Sequence, residues 1–411
     1  MSTSSSSAAV RAGEPLPAGE PLPAIQPPRR AAERKLHLLH VFPSFAIGGA
    51  QIRTVALANG LGADYRHTVL ALDGNTDCGE RIASDVDCTV EPFRLPKQSG
   101  LHPGTLGRIR GVLAERAPDL LLTYNWGAIE WALANRLRPL CPRHVHFEDG
   151  FGKEEALDRQ IRRRVWTRRV ALSGGSSRVV VPSLLLQRLA TGTWRLADSR
   201  VLYIPNGIDC RRFAEPPADP LPMPDFAEGP GRFVVGTVGA LRPEKNFARL
   251  IRAVAALPRD LGVRLIVVGD GRERPALEAL CAELGVAGSV AFVGALTQPE
   301  RAYPLFDVFA LSSDTEQMPY TVIEAMAAGL PVVSTDVGDI KGMVAAANRD
   351  SALIVPRDGA AATALVGAFA ALIADEPRRR RIGAENRAAA FANFTLETML
   401  DRYDRLFSGR E

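Results

Sequence analysis

Residues 307–336 read DVFALSSDTEQMPYTVIEAMAAGLPVVSTD, and this stretch decides the fold class. The apolar run DVFALSS is followed by PYTVIEAMAAG, which has the composition of a helix, and then by a second apolar run, PVVSTD. Continuous apolar strands are buried on both faces, and a strand, a helix and a strand in succession indicate a parallel sheet with a crossover helix. The stretch therefore predicts an α/β protein.

The same alternation occurs in two series along the chain. The first series has strand-like runs at 35–44, 67–72, 119–125 and 143–149, and the second has them at 232–241, 263–271, 289–296, 307–313 and 331–336. Each series predicts a doubly wound, Rossmann-like sheet. Two such domains would face each other across a cleft at the carboxyl ends of both sheets, where ligands bind.

Composition supplies the expected domain limits. Residues 1–34 are rich in Ser, Pro and Ala and predict a disordered tail, whereas 205–231 is dense in Pro and Gly and reads as a linker. The predicted division is a tail (1–34), an N-terminal Rossmann-like domain (35–204), the linker (205–231), a C-terminal Rossmann-like domain (232–390) and a last helix (391–411).

Overall composition narrows the class of protein. The chain has 411 residues, a net charge of +4 and five cysteines. The cysteines are scattered without a C-x-x-C pair, which argues against disulfides and zinc and for a reducing compartment. The longest apolar run, 360–374, is too short for a membrane span and predicts a packed helix. We therefore expect a cytoplasmic protein with an anionic partner other than nucleic acid.

Two loops after predicted strands have the composition of a phosphate site. Gly48 and Gly49 open a helix whose first N–H groups are available to an anion, although a structural turn explains them equally well. Arg242 and Lys245 lie in a later loop, where two cations could clamp a diphosphate or simply be solvated. In VVGDGRERP (267–275), Arg274 stands where a dinucleotide fingerprint needs a small residue, which disfavours nicotinamide and flavin.

Glu316 and Glu324 are separated by seven residues. Glu316 precedes the predicted helix, and Glu324 lies about two turns along it. Two carboxylates repel each other unless cations or polar groups lie between them, so we expect them to hydrogen-bond different hydroxyls of one polyhydroxylated ligand.

Taken together, these segments resemble the retaining glycosyltransferases with two Rossmann domains (the GT-B fold), the family 4 or group 1 enzymes that include sucrose and glycogen synthases. The resemblance covers roughly residues 36–407. It rests on IGGAQ (47–51), IPNGID (204–209), VGALRPEKN (238–246), VVGDGRER (267–274), VAFVG (290–294) and TEQMPYTVIEAMAAGLPVVSTDVG (315–338).

The resemblance implies a role for several residues. Glu316 would lie near the transferred sugar, Glu324 near the ribose, and Lys245 at the diphosphate. Gly48, Gly49, Arg242 and Gly294 would complete the nucleotide-sugar site. The catalytic-centre histidine of this family matches HVHFEDGF, where His146 is preferred to His144, with Glu148 and Asp149 as rivals.

The chain departs from the family pattern at three places. Ala240 replaces an arginine usually found five residues before the lysine, Gln317 and Met318 replace Gly and Phe, and Gly342 lies where an acid is common. These changes affect the diphosphate clamp and the geometry around the sugar.

Two further segments bear on partners and metals. DRQIRRRVWTRRVAL (158–172) carries six arginines and spaced apolar residues, so it predicts a helix that either contacts anionic lipid or packs with a charged outer face. SDVDC (84–88) contains Asp-x-Asp but lies outside the predicted cleft, so a surface turn is expected and no metal.

The resulting prediction is a retaining hexosyltransferase with no cofactor beyond its donor, a nucleotide-diphosphate sugar such as a UDP-sugar. The acceptor would be a saccharide or a lipid-linked sugar in polysaccharide or glycolipid assembly. The alternatives are a nucleotide-sugar epimerase of the same architecture and a catalytically silent nucleotide-sugar binder.

Overall fold

The structure, a computed structural model, describes residues 34–94, 102–137, 139–151, 155, 160–175, 177–224, 226 and 233–410. The predicted disordered tail lies outside this range apart from Arg34, as do residues 158–159 of the basic segment and 225 and 227–231 of the predicted linker. The described residues from Lys35 onward pack as one compact unit.

The first parallel sheet has seven strands in the order β3-β2-β1-β4-β5-β6-β7. With the helices packed on it, this sheet forms the N-terminal lobe. Its strands are β1 (Leu36–Phe42), β2 (Tyr65–Ala71), β3 (Cys88–Pro92), β4 (Leu120–Tyr124), β5 (His144–Phe147), β6 (Ser177–Val181) and β7 (Val201–Tyr203).

The second parallel sheet has six strands in the order β10-β9-β8-β11-β12-β13 and forms the C-terminal lobe. Its strands are β8 (Phe233–Val238), β9 (Val263–Val268), β10 (Val290–Gly294), β11 (Val308–Leu311), β12 (Val332–Thr335) and β13 (Ile354–Val355).

The helices follow the strands as parallel crossovers require. Their bounds are α1 (Gly49–Leu61), α2 (Pro103–Arg116), α3 (Ile129–Leu137), α4 (Arg162–Leu172), α5 (Leu184–Gly192), α6 (Cys210–Ala214), α7 (Phe247–Ala255), α8 (Arg274–Glu283), α9 (Tyr320–Ala327), α10 (Ile340–Met343), α11 (Ala346–Arg349), α12 (Ala361–Ala374), α13 (Glu376–Asn393) and α14 (Leu396–Ser408).

The predicted fold class, two Rossmann-like sheets, is confirmed. The apolar run 360–374 forms α12, which buries Leu365, Phe369 and Leu372 in the core of the C-terminal lobe. The strands β3, β6, β7 and β13 were not predicted from the sequence. The run PERAYPLF (299–306), whose composition predicts a short helix, forms two 3₁₀ turns instead. The prolines at 299 and 304 explain the turns, because proline lacks the N–H that a continuing helix needs.

The chain passes twice between the lobes, and the two passages pair with each other. The N–H of Ile208 donates to Phe394 O at 3.0 Å, and the N–H of Leu396 donates to Ile208 O at 2.8 Å. Helix α14 then packs its buried residues, including Tyr403 and Phe407, into the core of the N-terminal lobe. The two connections between the lobes are therefore hydrogen-bonded to each other at Ile208. The predicted domain limits stay a prediction.

Candidate active site

A cavity of about 1330 Å³ opens between the two lobes. Its walls come from the segments that follow β1, β4, β5, β6, β7, β8, β10 and β11, so it lies at the carboxyl ends of both sheets. A single small ligand usually occupies a site of roughly 300–1,000 Å³. The volume is therefore sufficient for more than one small ligand.

The cavity brings together five of the eight predicted site residues. Lining it are Gly48, Gly49, Lys245, Glu316 and Glu324. Three others, His146, Arg242 and Gly294, are absent from its wall.

Lys245 and Glu316 meet directly on the wall of the C-terminal lobe. The ammonium Nζ of Lys245 lies 2.5 Å from Glu316 Oε1, which also accepts a hydrogen bond from Ser313 Oγ at 2.7 Å. The turn that carries Lys245 is held by Ser312, whose hydroxyl donates to the carbonyls of Lys245 and Asn246 at 3.1 and 2.9 Å. A cation thus neutralises the first of the two carboxylates.

Glu324 has a different partner, the hydroxyl of Tyr303. The Tyr303 O–H donates to Glu324 Oε2 at 2.6 Å. Desolvation in this half-buried position raises the pKa of Glu324 to about 7, against smaller lowering effects from the Tyr303 hydrogen bond and from Arg212. Near neutral pH, Glu324 is therefore present both as the protonated acid, which can donate a hydrogen bond, and as the carboxylate, which can only accept one.

The N-terminus of α9 lies between the two acids on the cavity wall. The helix begins at Tyr320 after Pro319 and has no side-chain cap. Its first N–H groups are therefore available to an anion, to which the helix dipole adds a favourable field. Across the cavity, a Cβ at Gly49 would lie 3.6 Å from the Tyr320 ring, so the glycine turn of the N-terminal lobe closely approaches this helix.

Arg242, predicted to bind the nucleotide sugar, lies outside the cavity wall, and its role stays a prediction. Arg242 precedes Pro243, adopts an extended backbone (φ −118°, ψ 154°), and has an exposed side chain outside the cavity. A residue before proline is restricted to such conformations. Ala240, at the position where the family carries arginine, does line the cavity.

Gly294 does not line the cavity but lies at the end of the strand that leads to it. It ends β10 with φ of 78°, a conformation that favours glycine, and its carbonyl accepts the Gly269 N–H at 2.7 Å. The next turn of the chain, at Leu296 and Thr297, reaches the cavity.

His146 lies inside the N-terminal lobe and not on the cavity wall, which corrects the predicted placement. Its side chain is 0% exposed, its Nδ1 lies 2.8 Å from Thr123 Oγ1, and its Nε2 lies 3.6 Å from Glu148 Oε2. His144 shares this face, because side chains two residues apart on a strand point the same way, and it bonds to the same threonine hydroxyl at 2.9 Å.

The two acids after His146 have different surroundings. Glu148 is fully buried; burial favours a higher pKa, but Arg168 and His146 outweigh it and hold the pKa below its ordinary value. Asp149 lines the cavity and forms a two-point ion pair with Arg53, at 2.5 and 2.9 Å. Asp149, which sequence analysis kept as a rival to His146, is therefore the group of this segment that faces the cavity.

Sequence analysis missed several residues of the site. Arg53 is a buried arginine in α1 and also donates to Asn206 Oδ1 at 3.3 Å. A lone charge in the apolar part of a helix beside a Gly-Gly turn was the available signal. Tyr303 and Arg212 carried no such signal, because neither belongs to a motif that sequence analysis singled out.

The basic segment forms α4, which packs Arg168, Ala171 and Leu172 inward. Its other side exposes Arg162, Arg163 and Arg169 together with Trp166, which is 62% exposed. In the part of the chain that the structure describes, no helix has the length and apolar character needed to cross a membrane. Within the same residues, no group of three or more His, Cys, Asp or Glu is arranged to hold a metal ion.

Comparison with known proteins shows the family of this chain. Residues 47–212 match the family Glycosyltransferase Family 4, and residues 223–389 match Glycosyl transferases group 1. A GDP-mannose-dependent alpha-mannosyltransferase of Mycolicibacterium smegmatis (strain ATCC 700084 / mc(2)155) is 30% identical over 79% of this chain and 84% of its own length. A lipopolysaccharide core biosynthesis glycosyltransferase, LpsE, of Rhizobium meliloti (strain 1021) is 32% identical over 43% of this chain.

The chain spans about half the length of several curated relatives that it matches, LpsE among them (50%). Among solved structures, Anabaena Alr3699/HepE in complex with UDP-glucose superimposes with a TM-score of 0.72 at 19% identity, covering 91% of this chain and all of that one (100%). At that identity the likeness concerns the fold. A curated relative aligns over most of both chains, and both family models match. The protein therefore belongs to the group 1, family 4 glycosyltransferases.

Proposed function

We propose that this protein transfers a sugar, with retention of its anomeric configuration, from a nucleotide-diphosphate sugar to a saccharide or lipid-linked acceptor. The observation that carries the proposal is the arrangement of Lys245, Glu316 and Glu324 around the N-terminus of α9 on one cavity wall. A cation and helix N–H groups suit a diphosphate, and the two carboxylates suit hydroxyls on either side of it.

In the proposed reaction the bond between C1 of the sugar and the diphosphate oxygen breaks, and the leaving nucleoside diphosphate keeps the electron pair. Lys245 and the first N–H groups of α9 would stabilise the charge that develops on that oxygen. The acceptor hydroxyl attacks C1 from the same face, and its proton passes to the departing phosphate. Glu316 would hold hydroxyls of the transferred sugar, and Glu324 would hold those of the ribose.

The donor and acceptor classes draw support from the relatives. The HepE structure is described as a complex with UDP-glucose, which favours a UDP-sugar, whereas the mycolicibacterial relative is named for GDP-mannose. The name of LpsE refers to lipopolysaccharide core biosynthesis, which favours an acceptor in glycolipid or polysaccharide assembly. A cavity between two lobes also suits lobes that move apart for substrate and close over the donor.

A donor panel tests the proposal. UDP-, GDP- and ADP-sugars would be scored by ligand-induced thermal shift on the wild type and on Glu324→Gln, with product anomers read by NMR. We expect one donor class to stabilise the wild type more than the variant and to yield an axial or equatorial linkage matching the donor. Failure of every donor to bind would refute the function. Formation of an epimerised donor in the absence of acceptor would favour an epimerase. Donor binding without turnover would favour a catalytically silent binder.

We also propose that the protein is cytoplasmic and contacts the anionic inner face of a membrane through α4. The argument is charge complementarity: Arg162, Arg163 and Arg169 flank the exposed indole of Trp166 on the solvent side of the helix. Arginines favour anionic headgroups, and a tryptophan ring suits the interfacial region.

Vesicle flotation tests the membrane contact. We expect binding to phosphatidylglycerol vesicles, none to phosphatidylcholine vesicles, and a clear loss of binding in Trp166→Ser. Phe391→Ser is the matched control, because Phe391 is also an exposed aromatic residue (38%) but lies on α13 of the C-terminal lobe. Equal flotation of both variants, or none of the wild type at low salt, would refute the contact.

A further inference from the structure

Arg212 belongs to the short helix α6, which follows directly on the first passage between the lobes. The helix is capped by Asp209, whose carboxylate accepts the N–H groups of Arg211 and Arg212 at 3.1 and 3.4 Å. Of these two adjacent arginines, Arg212 lines the cavity and Arg211 does not. The side chain of Arg212 therefore enters the site from the hinge region.

Five other basic residues line the described cavity wall. Arg81 is exposed and lies on the N-terminal lobe, and the other four are paired with internal acids to different degrees. Arg53 is 2% exposed and paired with Asp149, and Arg168 is 1% exposed and held between two glutamates. The Lys245 side chain is 26% exposed and bound to Glu316. The Arg212 side chain is 45% exposed, so it is more accessible to a ligand than any of these three.

One edge of the Arg212 guanidinium is held in place by Glu300. The distances are 2.7 Å from Nε to Glu300 Oε1 and 2.8 Å from Nη2 to Glu300 Oε2. These two hydrogen bonds involve Nε and Nη2, on one edge of the Arg212 guanidinium, and Nη1 takes no part in the ion pair with Glu300. A guanidinium fixed in this way is pre-organised to form a second interaction with a planar or tetrahedral anion.

The same cluster connects Arg212 to Glu324. Phe213, the next residue in α6, packs edge-to-face on Tyr303 with ring centroids 5.4 Å apart, and Tyr303 donates to Glu324. Arg212 is also close enough to favour the charged form of Glu324. Arg212 and Glu324 thus belong to one packed unit on the nucleotide side of the cavity.

Charge balance shows what this arginine contributes. On this side of the cavity, Lys245 faces Glu316, and Glu300 and Glu324 add further negative charge. Arg212 offsets part of this acidic charge and so lessens the repulsion that a diphosphate would meet at short range. Arg212 is thus a second cation of this wall, which carries alanine and not arginine at position 240.

We propose that Arg212 binds a phosphate of the nucleoside diphosphate through its Nη1 edge and serves as the second cation of the diphosphate site. This inference rests on the proposed function, since it presumes a nucleotide-diphosphate donor. Arg212 would act with Lys245, and its position at the hinge would link diphosphate binding to the relative position of the lobes.

Calorimetric titration of the full-length protein with UDP, GDP and ADP tests this inference, with uridine, guanosine and adenosine measured by saturation-transfer NMR. For the diphosphate that binds the wild type, we expect Arg212→Ala to weaken affinity about tenfold or more and Arg212→Lys to weaken it less, because a charge-assisted hydrogen bond is lost. The corresponding nucleoside should bind the wild type and Arg212→Ala equally. Arg211→Ala, the matched control on the same helix, should remain within about twofold.

Three outcomes would decide against it. Wild-type affinity for the diphosphate in Arg212→Ala would overturn the inference. Equal losses for diphosphate and nucleoside, or a large fall in the melting temperature of ligand-free Arg212→Lys, would indicate that Arg212 only supports the fold through Glu300. Failure of all three diphosphates to bind the wild type would instead overturn the proposed function.

Discussion

Replacing Tyr303 with phenylalanine isolates one hydrogen bond at the candidate site. Tyr303 is fully buried in the core of the C-terminal lobe, and its hydroxyl donates to Glu324 Oε2 at 2.6 Å. Phenylalanine keeps the ring and its packing on Phe213 and removes only the donor. The charged form of Glu324 loses stabilisation, so its pKa rises further above the present value of about 7.

The size of the effect follows from the charge on the acceptor. A hydrogen bond to a charged group is worth about 1.5–3 kcal/mol, and each 1.36 kcal/mol changes an ionisation ratio about tenfold. Water from the cavity can replace part of the lost bond, so we take the lower end, about a tenfold fall in the ratio of ionised to protonated Glu324. With roughly half of Glu324 ionised in the wild type at about pH 7, the ionised fraction falls about fivefold.

The assay is the donor KM measured from about pH 6 to pH 9 in the wild type, Tyr303→Phe and Glu324→Gln. If the carboxylate of Glu324 holds ribose hydroxyls, the wild-type KM rises as pH falls through about 7, because protonation removes the acceptor. Tyr303→Phe should show a KM about fivefold higher near neutral pH and nearly the wild-type value at about pH 9. Glu324→Gln should have a high KM without this pH dependence.

Two results would refute the reasoning. A Tyr303→Phe profile that overlays the wild type would mean that the hydrogen bond does not control ionisation. A pH dependence that persists in Glu324→Gln would assign the titration to another group. A general loss of folding is checked by the melting temperature of Tyr303→Phe, which should change little because the ring stays in place.

Three other perturbations test separate features. Glu316→Ala should abolish turnover yet leave nucleoside diphosphate binding unchanged or tighter in calorimetry, because Lys245 loses its internal acid; weaker binding would contradict this. Gly338→Ala should destabilise the fold by about 2 kcal/mol or more in thermal denaturation, because the added Cβ would lie 2.4 Å from Gln317 O at a φ of +58°. Gly342→Ala is the control and should be nearly neutral, because a Cβ at Gly342 would have no neighbour within 4 Å. The carboxylate of Asp339 accepts the N–H groups at the start of α5 across the cleft, a contact worth about 1–2 kcal/mol. Asp339→Ala should therefore increase the radius of gyration of the ligand-free protein in solution scattering. An unchanged radius would show that this contact does not hold the lobes together.

Local patterns were enough to predict the two sheets and the wall that carries Lys245, Glu316 and Glu324. Strand and helix periodicity is a property of neighbouring residues, and in parallel sheets the loops after the strands must gather at one edge. Within residues 307–336 a strand is followed by an acid, a helix and a second strand. This order was sufficient to place Glu316 just before the N-terminus of α9.

The sequence by itself thus determined the fold class and which loops face the cleft, because both follow from local periodicity and from the direction of parallel strands. Only the tertiary structure decided which side chains reach the cavity. His146 has a favourable position at the end of its strand but is covered by neighbouring elements, and Asp149 reaches the cavity in its place. The pairing of Tyr303 with Glu324 and of Arg212 with Glu300 joins residues far apart in the chain, and such contacts depend on how the elements pack and not on sequence spacing.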